Sequence, residues 1–123
     1  MSFRKFNHES FLLIRYNKET VSDLEELKRE LMTESGGCRG SRDTILDCSL
    51  ATVISSMEIG VIVQFLKKLP GSGRFLRLVI SSYVYELLIA MNLHKIPNLI
   101  LYNSMEPVQE HFSGTDMSLM ASA

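Results

Sequence analysis

Apolar positions along the chain alternate between dense runs and helical stripes. Phe11-Leu12-Leu13-Ile14 is a dense run after Glu9-Ser10 and predicts a strand from about Ser10 to Tyr16. Upstream, Phe3 and Phe6 interrupt polar residues, so Phe3 to His8 is a candidate preceding strand with imperfect alternation. After cap candidates in Thr20-Val21-Ser22-Asp23, Leu24, Leu27, Leu31 and Met32 recur at helical spacing. Glu25, Glu26, Lys28, Arg29 and Glu30 fall on the other face, which predicts an amphipathic helix over about Val21 to Thr33. Ser35-Gly36-Gly37 stops it and a loop runs to Ser41.

The same rhythm repeats downstream. Thr44 to Cys48 reads as a short strand, and Ala51 to Ile54 continues extended or as a loop. Ser55-Ser56-Met57-Glu58 starts a second helix running to about Leu69, which Pro70-Gly71-Ser72-Gly73 terminates. Phe75 to Ile80 is the next strand. Ser81-Ser82 caps a third helix with Val84, Leu87, Leu88 and Met91 on one face, ended by Asn92. Pro97 opens a last strand over Asn98 to Tyr102, and Ser104 caps a short helix over about Met105 to Phe112. The order β(β)αβαβαβα predicts an α/β fold: one domain over residues 1–112, with a mixed, mostly parallel sheet of four to five strands and helices packed against it. Ser113 to Ala123 is small and polar with scattered Met and is expected to form a flexible tail.

Composition narrows the function. At 123 residues and 46% hydrophobic content the chain can bury a core and is not disordered. Lys+Arg 13 against Asp+Glu 14 gives a net charge of -1, which disfavours direct DNA binding and anionic membranes. Cys38 and Cys48 show no metal-ligand spacing and read as free thiols of a reducing compartment. The N-terminus lacks the apolar core of a signal peptide. The longest apolar stretch, Ile59 to Leu66, is broken by Gly60 and Gln64 and falls far short of the ~20 residues of a membrane span. A soluble, cytoplasmic protein is expected.

Ser55-x-x-Glu58 fits a capping box, in which hydroxyl and carboxylate each satisfy the other residue's amide. Ser56 would sit in the first helical turn, where unpaired amides and the helix dipole favour a phosphoryl group. The helix that follows is apolar nearly all round. Ile59, Ile62, Val63, Leu66 and Leu69 make one stripe, expected to face the sheet. Met57, Val61 and Phe65 make a second at i, i+4 and i+8. Such a helix is either deeply buried or docks a partner; with one sheet to cover, the second stripe is expected to be an exposed partner surface. His8, His94 and His111 lie far apart, and Gly71-Ser72-Gly73 lacks the Lys-Ser/Thr of a phosphate loop. No catalytic set, cofactor or metal site is expected. One of Tyr83 and Tyr85, which straddle their helix, should be exposed.

The segment Thr44 to Phe112 resembles the STAS domain, the fold of bacterial anti-sigma factor antagonists. That family has a hydrophobic strand ending in Leu-Asp-x-Ser, an apolar bridge, and a D-S-[ST]-G-L-G-like turn into a helix. Here the strand is Ile45-Leu46-Asp47-Cys48-Ser49, the bridge Ala51-Thr52-Val53-Ile54, and the turn Ser55-Ser56-Met57-Glu58-Ile59-Gly60. Val84-Tyr85-Glu86-Leu87-Leu88 with Met91 to Ile96 is similar to the family's later V-x-x-L-L-x-x-x-x-L-x-x-I segment. Before residue 44 the resemblance is looser.

The resemblance implies a non-enzymatic regulator that binds an anti-sigma factor or serine-kinase-type protein. In the family the Ser of the turn is phosphorylated by that kinase, and the unphosphorylated form binds it and frees the sigma factor. Ser56 matches the phosphorylated position, with Ser55 as the alternative, and Ser55, Ser56, Met57, Glu58, Gly60, Val61 and Phe65 form the implied partner surface. The chain departs from the pattern twice: Ser55 replaces the acidic residue and Glu58 replaces a Gly, which places a carboxylate beside a would-be phosphate. One alternative is a STAS subunit of a signalling scaffold that is not phosphorylated, with Glu58 locking one binding state. Another is a small nucleotide-binding or hydrolytic protein using Asp47, Ser49 and Ser56 at strand ends. The sequence leaves the oligomeric state open.

Overall fold

The structure is a computed structural model that describes residues 3–17, 21–36, 42–51 and 54–112. Cys38, the cap candidate Thr20, the bridge residues Thr52 and Val53, and the expected tail at 113–123 lie outside the described residues. Strands β1 (Phe3–Asn7) and β2 (Phe11–Tyr16) form a hairpin, followed by α1 (Val21–Ser35), β3 (Asp43–Asp47), α2 (Ser56–Leu66), β4 (Leu76–Val79), α3 (Ser82–Ala90), β5 (Leu99–Tyr102) and α4 (Glu106–His111). A 3-10 turn at Leu93–Lys95, not anticipated from sequence, links α3 to β5; it begins after Asn92, whose left-handed φ of 61° breaks the helix.

The sheet runs β1-β2-β3-β4-β5, with β1 antiparallel and the other pairs parallel. Each crossover steps one strand in the same direction. Right-handed crossovers of that kind place α1, α2 and α3 side by side on one face. Alternation along the strands then sorts the core. Leu12, Ile14, Tyr16, Leu46, Cys48, Leu76 and Leu78 point to the three helices, and Phe11, Leu13, Ile45 and Val79 point to the other face, where α4 covers them with Val108.

The elements match the expected order, with ends shifted by one to three residues. Ser55 caps α2 as the capping-box pattern predicts, and Lys67 to Leu69, expected in the helix, leave it in turns. Ser104 does not cap α4; Met105 occupies that position and makes no side-chain cap bond. On α3 only Val84 and Leu88 are buried, while Leu87 and Met91 stay exposed at that helix's flank.

The main correction concerns α2. Val61 and Phe65 are buried, Phe65 to 0% exposure, and neither lies on a free surface. Counting the sheet as the helix's only neighbour causes the error. As the middle of three helices, α2 has a neighbour on each flank. Val61 and Phe65 pack in the cluster that includes Leu24, Leu27 and Leu31 of α1. Ile59 and Val63, on the opposite flank, line an apolar cleft with Leu88, Leu93, Ile96 and Leu99. Ile62, Leu66 and Leu69 face the sheet as expected. Two helical neighbours plus a sheet account for a helix apolar nearly all round, at roughly 1.5–3 kcal/mol for each fully buried large side chain. What α2 leaves exposed is Ser56, Met57, Gly60 and Gln64.

The end of the sheet where the parallel strands begin is closed by charge. Arg42 donates from Nε and Nη2 to the two carboxylate oxygens of Glu34 at 2.7 and 2.8 Å, and Arg74 Nη2 donates to the Glu34 carbonyl at 2.8 Å. All three side chains are buried. On the α4 face, Arg77 donates to Asp43 at 2.9 Å and to the Tyr102 hydroxyl, and its guanidinium lies 5.5 Å from the Phe112 ring centroid.

Candidate functional site

The candidate site lies at the opposite end, where β3 and β4 finish and α2 and α3 start. Leaving β3, Asp47 is buried on the α4 face; its Oδ1 accepts the Ser49 amide at 3.0 Å and its Oδ2 lies 3.5 Å from Arg15 Nε. Asp47 thus caps the loop after its strand. The next residue, Cys48, turns inward beneath α2, and its amide donates to the Val79 carbonyl at 2.8 Å. Burial first, then the charges of Asp47 and Glu58, push the Cys48 thiol far above the usual range, so it is a protonated, unreactive core group.

Ser55 is extended, with φ -83° and ψ 165°, and caps α2 with a complete capping box. The Glu58 amide donates to Ser55 Oγ at 3.3 Å, and the Ser55 amide donates to Glu58 Oε1 at 2.8 Å. The Ser55 hydroxyl donates to that same oxygen at 2.6 Å. The box is not exposed. Glu58 is buried, and its other oxygen, Oε2, accepts from the Tyr16 hydroxyl at 2.8 Å. Burial and the neighbouring carboxylate push the Tyr16 phenol far above the ordinary tyrosine range, so it remains a donor. Tyr16 was not anticipated. It lies 42 residues from Glu58, and only the parallel pairing of β2 with β3 brings the end of β2 under the start of α2.

The two serines of the turn have different surroundings. Ser55 is half-buried, and its oxygen is engaged by both the amide and the carboxylate of Glu58. A phosphoryl group there would set a dianion against a buried carboxylate and destroy the cap. Ser56 is exposed on the first residue of α2, and Glu58 points to the buried side of the same helix. The amides of Ser56 and Met57 find no hydrogen-bond partner among the described residues. The capping box and an anion on Ser56 would therefore use different amides.

Large apolar side chains are exposed at the same end of the sheet as Ser56. Met57 is 60% exposed, Leu50 in the loop before α2 is 74% exposed, and Tyr83 in the first turn of α3 is 71% exposed. Tyr83 is the exposed member of the tyrosine pair, and Tyr85 is half-buried against the core. Gly60 sits one turn after Ser56, and among the described residues a Cβ built there meets nothing within 4 Å. Of the residues expected at the site, Ser55, Ser56, Met57, Glu58 and Gly60 are gathered in this turn, with Glu58 inward, while Val61 and Phe65 are core. The histidines stand apart: His8 accepts the Ser10 amide and stacks on Phe11, His111 meets Arg77 at 3.0 Å, and His94 lies in the 3-10 turn.

An open sheet with three helices on one face, a fourth on the other and a capped turn into the middle helix defines a mixed α/β class. Its shape is shared with three solved structures. The crystal structure of a proposed anti-sigma factor antagonist from Thermotoga maritima aligns with a TM-score of 0.71 over 89% of this chain and 92% of that one, at 25% identity. An NMR structure of the same Thermotoga protein gives 0.64 over 92% and 90%, at 24% identity. An anti-sigma-factor antagonist (STAS) domain protein from Planctomyces limnophilus gives 0.67 over 88% and 96%, at 14% identity. No protein-family model matches the sequence, and no curated protein matches it. The chain has the fold of these STAS domain proteins.

Proposed function

We propose that this domain is a regulator that binds an anti-sigma factor of the serine-kinase type through the start of α2, and that phosphorylation of Ser56 ends the contact. The observation that carries this reading is the composition of one surface. An exposed hydroxyl at a helix start shares one end of the sheet with the exposed apolar side chains of Leu50, Met57 and Tyr83. A neutral serine can be covered by a partner there, whereas a dianion would have to be desolvated against apolar neighbours. Ser56 is favoured over Ser55 as the acceptor because modification of Ser55 would break the cap of α2. The enzyme alternative has less support: Asp47 is turned to the α4 face and tied to Arg15 and the Ser49 amide, away from Ser56.

The test is affinity capture from the native cells with the full chain. Wild type should retain an anti-sigma factor with an ATP-binding kinase domain, and Ser56→Glu and Met57→Glu should lose it while keeping wild-type circular dichroism. Incubation of wild type with that kinase and ATP should add the mass of one phosphoryl group, absent in Ser56→Ala. Capture of the same kinase without any mass gain would favour the unphosphorylated scaffold subunit instead.

A further inference from the structure

We infer that Tyr16 and Glu58 form a latch that positions the partner-binding turn. This rests on the binding reading above, but it can be tested without the partner. A capping box alone would not bury its carboxylate. Burying one is costly unless it is fully hydrogen-bonded, and an exposed Glu or Gln would serve the cap equally well. Here the Glu58 carboxylate is 5% exposed and joins three segments: the end of β2 through the Tyr16 hydroxyl, the loop after β3 through Ser55, and α2 itself. Phe at position 16 would fill the same core volume, so the phenolic oxygen is not needed for packing. It donates instead to this carboxylate.

The constraint falls on the turn whose outer side carries Ser56 and Met57. Those residues are exposed, and their amides are unpaired among the described residues. With the latch closed, the first turn of α2 is fixed to the sheet and both side chains are already displayed. With it open, the entropic cost of ordering them would fall on binding. Tyr16 and Glu58 are thus positioning residues: buried, unable to touch a partner, and acting through the geometry of Ser55 to Met57. The start of α3 is a built-in control. Its cap, Ser81, accepts the Val84 amide at 3.4 Å, with no carboxylate in the first turn.

Amide hydrogen exchange on the full-length wild-type protein tests this first. The Ile59 and Gly60 amides should exchange more slowly than the corresponding Tyr85 and Glu86 amides of α3; equal rates would overturn the latch. In Tyr16→Phe, Ile59 and Gly60 should exchange roughly tenfold to a hundredfold faster, the range expected for losing a hydrogen bond to a charged group. The Cys48 and Leu78 amides in the sheet should be unchanged. A uniform rise that includes them would make the pair merely structural. In binding, Tyr16→Phe should weaken the partner that Ser56→Glu abolishes. If exchange rises locally and capture is unaffected, the positioning role fails while the contact stands. If no variant at the surface or beneath it changes capture, the binding reading fails and the exchange result still decides the latch.

Discussion

The two ends of the sheet are built from opposite materials. Where the parallel strands begin, long charged side chains are pulled inside and paired: Glu34 with Arg42 and Arg74, and Asp43 with Arg77. Where they finish, small hydroxyls, a glycine and large apolar side chains are left outside. The first arrangement consumes its hydrogen-bonding capacity within the chain. The second leaves amides, a hydroxyl and apolar area unspent. Paired buried charge therefore gathers mainly at one end, and contact capacity at the other. Asp47, buried and paired with Arg15, and Glu58, a buried charge placed under the contact surface, are the exceptions that join the two strategies.

The sharpest way to break that division is through α2, which spans both ends. Phe65→Glu should unfold the domain: losing the ring costs about 3–5 kcal/mol in packing, and an unpaired charge in the core adds to it. Urea denaturation checks this, and a folded, partner-blind variant would return Phe65 to the surface. Next comes the charged end. Glu34→Ala leaves two buried guanidiniums without their carboxylate and should cost about 3–5 kcal/mol. The loss should show in the denaturation midpoint, without any change in binding beyond the fraction unfolded. Should the variant lose its partner while keeping its stability, the division of labour between the ends is wrong.

The sequence carried the order of the elements because each strand is a short apolar run and each helix has a cap or a stop of its own. It also carried the capping box, since Ser55 and Glu58 are three residues apart. It could not carry the neighbours of α2. The stripe Met57, Val61, Phe65 looks the same on a helix beside open solvent and on one between two other helices; only the sequential strand order, with every crossover of one hand, decides it. Tyr16 was hidden for a similar reason. It reads as the last apolar residue of β2, and its hydroxyl acquires a purpose only when β2 lies next to β3. The buried Arg42–Glu34–Arg74 cluster escaped because such residues are ordinarily exposed, and nothing in their spacing marks them as paired.

Gly60 gives the smallest and most selective test of the contact end. In the middle of a helix, glycine is less favourable than alanine by roughly 0.5–1 kcal/mol, because it gives up more backbone freedom on folding. A tight approach inside the chain could justify that cost, but a Cβ at this position meets nothing within 4 Å among the described residues, and φ is not in the left-handed region. The isolated domain thus gains nothing from the missing side chain. Gly60→Ala should raise stability by about 0.5–1 kcal/mol in denaturant titration. If the exposed turn is a contact surface, the same methyl should stand between α2 and the partner and weaken capture. A variant more stable and equally well captured would place the contact away from Gly60, towards Met57 and Tyr83. A variant more stable and less well captured would locate the glycine's purpose outside the chain.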